Sequence, residues 1–245
     1  LEGEDTCSGS AVNNVRNDGK PFFITADHCG ITPGNAASMV IYWNHENASC
    51  RIPGTRENGR DGGGPVTDFN SGAILRAAYT PSDMALVELD DPIDPAYDVY
   101  LAGWSRTGNP GMAVGIHFPS TSEKRISFDF DPLRSTNDTD RGINPDGTHW
   151  MVDDWEYGST EGGSSGSPIY DESGRMVGQL TGGFAACGNG ESDWYGKFSK
   201  GWEGGGTPSS RMRDWLDPDG TSPAFIDGIG SGRAQVTIAN GELVE

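Results

Sequence analysis

The stretch Gly162-Gly163-Ser164-Ser165-Gly166-Ser167-Pro168 decides how this chain reads, because serine among glycines is either linker or a strained functional turn. The linker reading fits poorly with the neighbouring residues. Pro168-Ile169-Tyr170-Asp171 is strand-like, Glu172-Ser173-Gly174 is a turn, and a second apolar run begins at Arg175. Glycine at 163 and 166 permits a tight backbone turn that aims the N–H groups of Gly163 and Ser165 at one point, as an oxyanion hole requires. Ser165 is therefore the candidate nucleophile. A serine hydroxyl is a poor nucleophile near neutral pH and needs a histidine as general base, itself oriented by a buried carboxylate.

Both partners are present upstream. His28 lies in Ile24-Thr25-Ala26-Asp27-His28-Cys29, after the buried-strand pattern Phe22-Phe23-Ile24 and before a cysteine that can fix its support. His45, His117 and His149 have no such setting and read as ordinary surface or core histidines. Asp83 follows Thr80-Pro81-Ser82 and opens Met84-Ala85-Leu86-Val87-Glu88-Leu89, so a strand would carry its carboxylate at a buried entrance; the bland reading is a turn aspartate. Asp27 is too local to reach the ring from the required side. His28, Asp83 and Ser165 thus form the expected catalytic triad, in an order that serine hydrolases use.

Composition bounds the function. Of 245 residues, 37 are glycine and 15 proline, with short β-branched or aromatic runs between them, which favours strands joined by tight turns. The net charge of −19 argues against nucleic acid and anionic membranes as partners and fits a solvated extracellular surface or attraction of cationic substrates. No apolar run is long enough for a membrane helix. Lysine is confined to Lys20, Lys124, Lys197 and Lys200, a bias that self-protection or genome composition explains equally. Cys7, Cys29, Cys50 and Cys187 include no close metal-binding or redox pair, so disulfides and secretion are expected. A Cys7–Cys29 bridge would pin two adjacent strands beneath His28.

Strands are expected over Ser10–Val15, Pro21–Thr25, Ser38–Trp43, Gly72–Tyr79, Met84–Leu89, Met112–Phe118, Pro168–Tyr170, Arg175–Leu180 and Trp194–Phe198, with Asn17-Asp18-Gly19 as a hairpin turn. Pro208 to Leu216 reads as a short helix stopped by Pro218. Gly230-Ser231-Gly232-Arg233 has linker composition, and Val236 to Val244 is a further strand candidate, so residues 230–245 are expected to be a linker or the start of another module.

These residues resemble the trypsin-like serine proteases. Ile24 to Cys29 is similar to their Thr-Ala-Ala-His-Cys, Asp83 onward to Asp-Ile-Ala-Leu, and Gly163 to Ser167 to Gly-Asp-Ser-Gly-Gly. The resemblance is closer to bacterial lysyl endopeptidases, through Met39-Val40-Ile41-Tyr42-Trp43-Asn44, Glu123-Lys124-Arg125-Ile126-Ser127, Gly163 to Tyr170, Gly178-Gln179-Leu180 and Asp214-Trp215-Leu216-Asp217-Pro218, and runs from about Cys7 to Gly228. It implies an all-β fold of two six-stranded antiparallel β-barrels of the chymotrypsin type, spanning 1–106 and 107–229, with a short C-terminal helix. It also implies a monomeric secreted serine endopeptidase acting on protein or peptide substrates, needing no cofactor and with no metal ligand assigned.

Substrate choice follows from the same resemblance. Trypsin's pocket aspartate would fall at Ser159, whereas Ser192-Asp193-Trp194-Tyr195-Gly196 resembles the lysyl endopeptidase pocket motif. Asp193 would pair with a substrate ammonium or guanidinium, Thr181, Gly182 and Gly183 would line the wall, and cleavage after lysine is expected ahead of arginine. The family's pocket histidine is replaced by Thr181, and its partner tryptophan is missing from the loop between Asp138 and Gly147, so the wall must be built differently. Trp155 reads most simply as core. Ser164 stands where trypsin has the aspartate that pairs with its N-terminal ammonium. The family pattern also includes an upstream segment with two cysteines, so the first barrel is expected to lack its N-terminal strand, with Cys50 and Cys187 either unpaired or bridged to each other. The alternatives are a glutamyl endopeptidase, whose Gly-Asn-Ser-Gly-Ser-Pro resembles Gly163 to Pro168, and an inactive binding protein on a protease fold.

Overall fold

A computed structural model describes residues 6–52, 55, 56, 58, 60, 62–230, 237–239 and 242–244. Its first part is a four-stranded antiparallel sheet in the order β1 (Ser10–Val12), β2 (Phe22–Ala26), β6 (Met84–Leu89), β5 (Ala73–Tyr79), beside a ribbon of β3 (Val40–Trp43) and β4 (Asp68–Ser71). The central strands β2 and β6 are nearly continuous hydrophobic runs because both of their faces are covered. Phe22 and Ile24 point into one core with Met84 and Leu86, while Phe23 and Val87 point into another with Ile41 and Trp43.

The second part is a nine-stranded sheet. Its main path runs β10 (Arg134–Thr136), β11 (His149–Val152), β14 (Asp193–Lys197), β13 (Met176–Gly183), β12 (Pro168–Tyr170), β8 (Ala113–His117), β9 (Arg125–Asp129); β7 (Trp104–Ser105) and β15 (Phe225–Ile226) attach at its side. The expected all-β class is thus present, with minor helices. Closure into two six-stranded barrels is not: among the described residues the first half divides into a sheet and a separate ribbon, and the second forms one open path.

One core joins the two parts. Val12, Phe22, Ile24, Met84 and Leu86 from the first sheet pack with Trp104, Met176, Phe198, Trp202, Met212 and Leu216, and Trp104 stacks on Phe198 at 5.2 Å. Each such buried side chain contributes roughly 1.5–3 kcal/mol. The expected helix from Pro208 shrinks to α2 (Arg213–Leu216), without a side-chain N-cap, because Thr207 to Ser210 close a tight turn of their own. Another helix, α1 (Phe198–Glu203), begins at a residue expected to end a strand, where Phe198 turns inward against Trp104. The expected strand at 236–244 is partly outside the described residues; β16 (Thr237–Ala239) and β17 (Glu242–Val244) pair there as a hairpin. Residues 231–236, which include most of the expected linker, lie outside the described residues. No helix among the described residues is long and apolar enough to cross a membrane.

Candidate active site

His28 leaves the buried strand β2 on a single 3-10 turn, Asp27–Cys29, closed by Gly30 in the left-handed region. Beneath it, Cys7 and Cys29 form the expected disulfide. Asp83 sits at the entrance to β6 with φ of 51°, held by its N–H on the Thr80 carbonyl. Its carboxylate grips His28 twice: Oδ2 lies 2.7 Å from Nδ1, and Oδ1 accepts the His28 backbone N–H at 2.8 Å. With the carboxylate as acceptor, the imidazole carries its proton on Nδ1 and leaves Nε2 free as a base. The bond from Asp83 raises the His28 pKa above its ordinary value, against an opposing effect of partial burial.

Ser165 lies in a turn whose peptide planes are fixed individually. In a trans peptide the C=O and N–H point in opposite directions, so anchoring one aims the other. Ser120 N–H holds the Gly162 carbonyl at 2.7 Å, which turns the Gly163 N–H the other way; Ser167 N–H holds the Ser164 carbonyl at 3.0 Å and does the same for Ser165 N–H. Among the described residues, neither N–H has a protein acceptor. Gly163 and Gly166 have φ of 89° and 80°, as the expected turn demands. A Cβ on Gly166 would stand 2.1 Å from Thr25 Oγ1 and 2.7 Å from Ala26 N, so this glycine lets the turn meet the end of β2. Ser8 ties the same junction, donating its N–H to the Ser165 carbonyl and its hydroxyl to the Gly163 carbonyl. The fold thus brings Ser165 beside the segment carrying His28, without a direct hydrogen bond between the two side chains among the described residues.

Asp193 opens β14 and is fully buried. Its Oδ2 accepts Trp155 Nε1 at 2.8 Å and Thr160 Oγ1 at 2.7 Å, while Oδ1 makes no hydrogen bond. The Ala185 N–H lies near enough to favour the ionised form without closing a bond to it. Burial raises the carboxyl pKa despite these donors. Gly183 has to be glycine here, since a Cβ would fall 2.2 Å from Asp193 Oδ1; a register shift in β13 between Leu180 and Gly182 brings it opposite. Trp155 is therefore more than core: it packs against a buried cluster that includes Ala113, Trp150, Ile169, Val177 and Tyr195, and it also donates its indole N–H to Asp193. Thr160 and Ser8 carried no sequence signal. Thr181, expected in the pocket wall, has its Oγ1 3.1 Å from Nε2 of the buried His149, and Gly182 beside it has φ of 150°.

Cys50 and Cys187 are both free and exposed, so they are not bridged to each other. Asp129, Asp131 and Glu156 bring three carboxylates within 4.8 Å, a spacing that could hold a cation. Two are already engaged, Asp129 by Asp131 N–H and Glu156 by Phe130 N–H, and burial pushes Asp129 up to about 7.

The family model "Lysyl endopeptidase, C-terminal domain" matches residues 1–196. A lysyl endopeptidase of Pseudomonas aeruginosa is 28% identical over 207 residues, covering 80% of this chain and 42% of that protein. The chain thus spans less than half the length of that relative. Similar solved structures include the thermostable serine protease AL20 from an extremophilic microorganism, at 14% identity and TM-score 0.49 over 78% of this chain and 83% of that one. A Nocardiopsis protease has 18% identity and TM-score 0.44, over 78% and 85% of the two chains.

Proposed function

We propose a function that proceeds from one fact: the chain belongs to the lysyl endopeptidase C-terminal domain family. It is a secreted serine endopeptidase that cuts peptide bonds after a basic residue, lysine ahead of arginine. The observation that carries this reading is the buried Asp193, with one oxygen occupied by two donors and the other making no hydrogen bond. A substrate ammonium there would find a dry carboxylate already held in place.

The chemistry follows from the remaining geometry. His28 Nε2 takes the proton of Ser165 as its oxygen attacks the scissile carbonyl, and Asp83 stabilises the imidazolium through Nδ1. The His28–Ser165 hydrogen bond forms when substrate excludes water. The carbonyl oxygen, now negative, is received by the N–H groups of Gly163 and Ser165. His28 returns the proton to the leaving amine, which departs and leaves an ester on Ser165; water, deprotonated by His28, then attacks the ester, and the acid is released as His28 passes that proton back to Ser165 Oγ. An acidic substrate side chain would meet the negative Asp193, which disfavours glutamyl specificity. The Cys7–Cys29 bridge supports an oxidising destination.

Cleavage-site profiling on a peptide library tests the reading. Cuts confined to Lys and Arg positions are expected, together with labelling of Ser165 by a serine-directed phosphonate. Cuts after glutamate would overturn the pocket assignment, and absence of both cutting and labelling would overturn the enzyme assignment.

A further inference from the structure

Behind the Ser165 turn lies a buried polar chain that the proposed mechanism does not use. His117, at the end of β8, is 1% exposed, and its two neighbours Ser164 and Ser127 are fully buried. Its Nδ1 lies 2.8 Å from Ser164 Oγ and its Nε2 3.1 Å from Ser127 Oγ. At one end, Ser164 Oγ accepts the Glu161 N–H at 3.2 Å; at the other, Ser127 Oγ donates to the Ser159 carbonyl at 3.1 Å.

The ends fix the direction of every proton between them. A carbonyl can only accept, so the Ser127 hydroxyl proton is committed to Ser159, and Ser127 Oγ must accept from His117 Nε2–H. The neutral ring then carries its lone pair on Nδ1, which accepts the Ser164 hydroxyl proton. The chain therefore runs Glu161 N–H to Ser164 O–H to His117, and His117 N–H to Ser127 O–H to Ser159 carbonyl. Each group is satisfied with the imidazole neutral, whereas a second ring proton would face the hydroxyl proton of Ser164. Burial, and then Arg125, push the ring down to about 4, in keeping with a neutral state near pH 7.

We infer that His117 is a positioning residue that holds Ser164, and through it the Gly163 and Ser165 N–H groups, in the orientation that receives the oxyanion. This rests on the proposed serine-protease reading. The residues His117 joins, 159–161 and Ser164, lead into the turn and form its first half.

Two measurements on the whole chain test this separately. Long-range proton–nitrogen correlation spectra at neutral pH are expected to show His117 neutral, with its proton on Nε2. A proton on Nδ1, or on both nitrogens, would overturn the assigned direction whether or not the chain proves to be a protease. In kinetics on a lysyl amide substrate, His117→Leu is expected to lower kcat by about 10²–10³-fold, as loss of an oxyanion donor does, with KM within about twofold. His117→Asn, which keeps an acceptor facing Ser164, should recover at least tenfold of that loss. Ser164→Ala, a smaller change that covers the case of a His117→Leu chain that does not fold, should give the same kcat loss at unchanged KM. A raised KM at unchanged kcat, loss without rescue by Asn, or a Ser164→Ala enzyme as fast as wild type would each overturn the inference. A wild-type chain that neither cleaves nor labels would instead remove the protease reading.

Discussion

Asp193→Asn separates the pocket's role in recognition from its role in the fold. In the native protein, Trp155 and Thr160 donate to one oxygen, so the asparagine carbonyl should take that place and leave its NH2 where Oδ1 stood. The substitution then replaces an acceptor by a donor where a substrate ammonium would arrive. Two unit charges about 3 Å apart at an effective dielectric near 20 attract by about 5 kcal/mol, and breaking a buried pair by removing one partner costs about 3–5 kcal/mol. At about 1.4 kcal/mol per factor of ten, kcat/KM on lysyl substrates should fall by roughly 10²–10⁴-fold, while a substrate with a neutral residue there should hold or improve. Stability should move the opposite way. A carboxyl whose folded pKa is raised favours the protonated form on folding, so its ionised form costs stability increasingly as pH rises from its unfolded pKa through the raised folded value. The asparagine variant should thus melt at or above the wild-type temperature at pH 8, an advantage that disappears below about pH 4. Kinetics on lysyl, arginyl and neutral amides, with melting at both pH values, check this. Equal losses on all three substrates, or a lower melting temperature at pH 8, would refute the reasoning.

Asp83→Asn removes the main cause of the raised His28 pKa and the tautomer control; kcat should fall about 10⁴-fold and the acid limb of the pH–rate profile should move to lower pH. Because a raised histidine pKa adds stability that is complete below the unfolded pKa and lost as pH rises through the folded one, this variant should lose more melting temperature at pH 5 than at pH 9. Gly166→Ala must force a Cβ between Thr25 and Ser8 at φ of 80°, so a destabilisation of about 1–3 kcal/mol in urea and loss of phosphonate labelling are expected. Replacing Cys7 and Cys29 by alanine frees a loop with separation 22, worth about 3 kcal/mol by chain entropy, and should lower the melting temperature by roughly 10 °C. Intact mass after alkylation without denaturant should show labels on Cys50 and Cys187 only.

What could be read from sequence was what the chain writes locally. Met84–Leu89 and Pro168–Tyr170 are found with the expected bounds, because apolar runs between turn residues leave little choice. His28 and Asp83 were legible for the same reason: each stands where a buried strand meets a turn. By contrast, β4 at Asp68–Ser71 and β10 at Arg134–Thr136 are short and polar, and only their partners define them. Barrel closure is a property of pairing across distance, and no residue pattern states it.

The same distinction explains the polar partners. Thr160 reaches Asp193 across 33 residues and Ser8 reaches Gly163 across 155, so neither could be assigned before the turn existed. His117 reads in the sequence as an ordinary histidine, and its burial agrees with a place in the core. Burial is also what gives it consequence. A half-buried serine–histidine pair could exchange its bonds with water, whereas this one, closed at both ends by backbone groups, has a single satisfied proton arrangement. The catalytic reading of Ser165 therefore depends on Ser164 as much as on the hydroxyl itself: the Ser164 carbonyl and the Ser165 N–H share a peptide plane, and the side chain of Ser164 is tied to His117. A turn held from its buried side in this way can present two free N–H groups to a substrate without first being ordered by it, which is what lowers the reorganisation cost at the transition state.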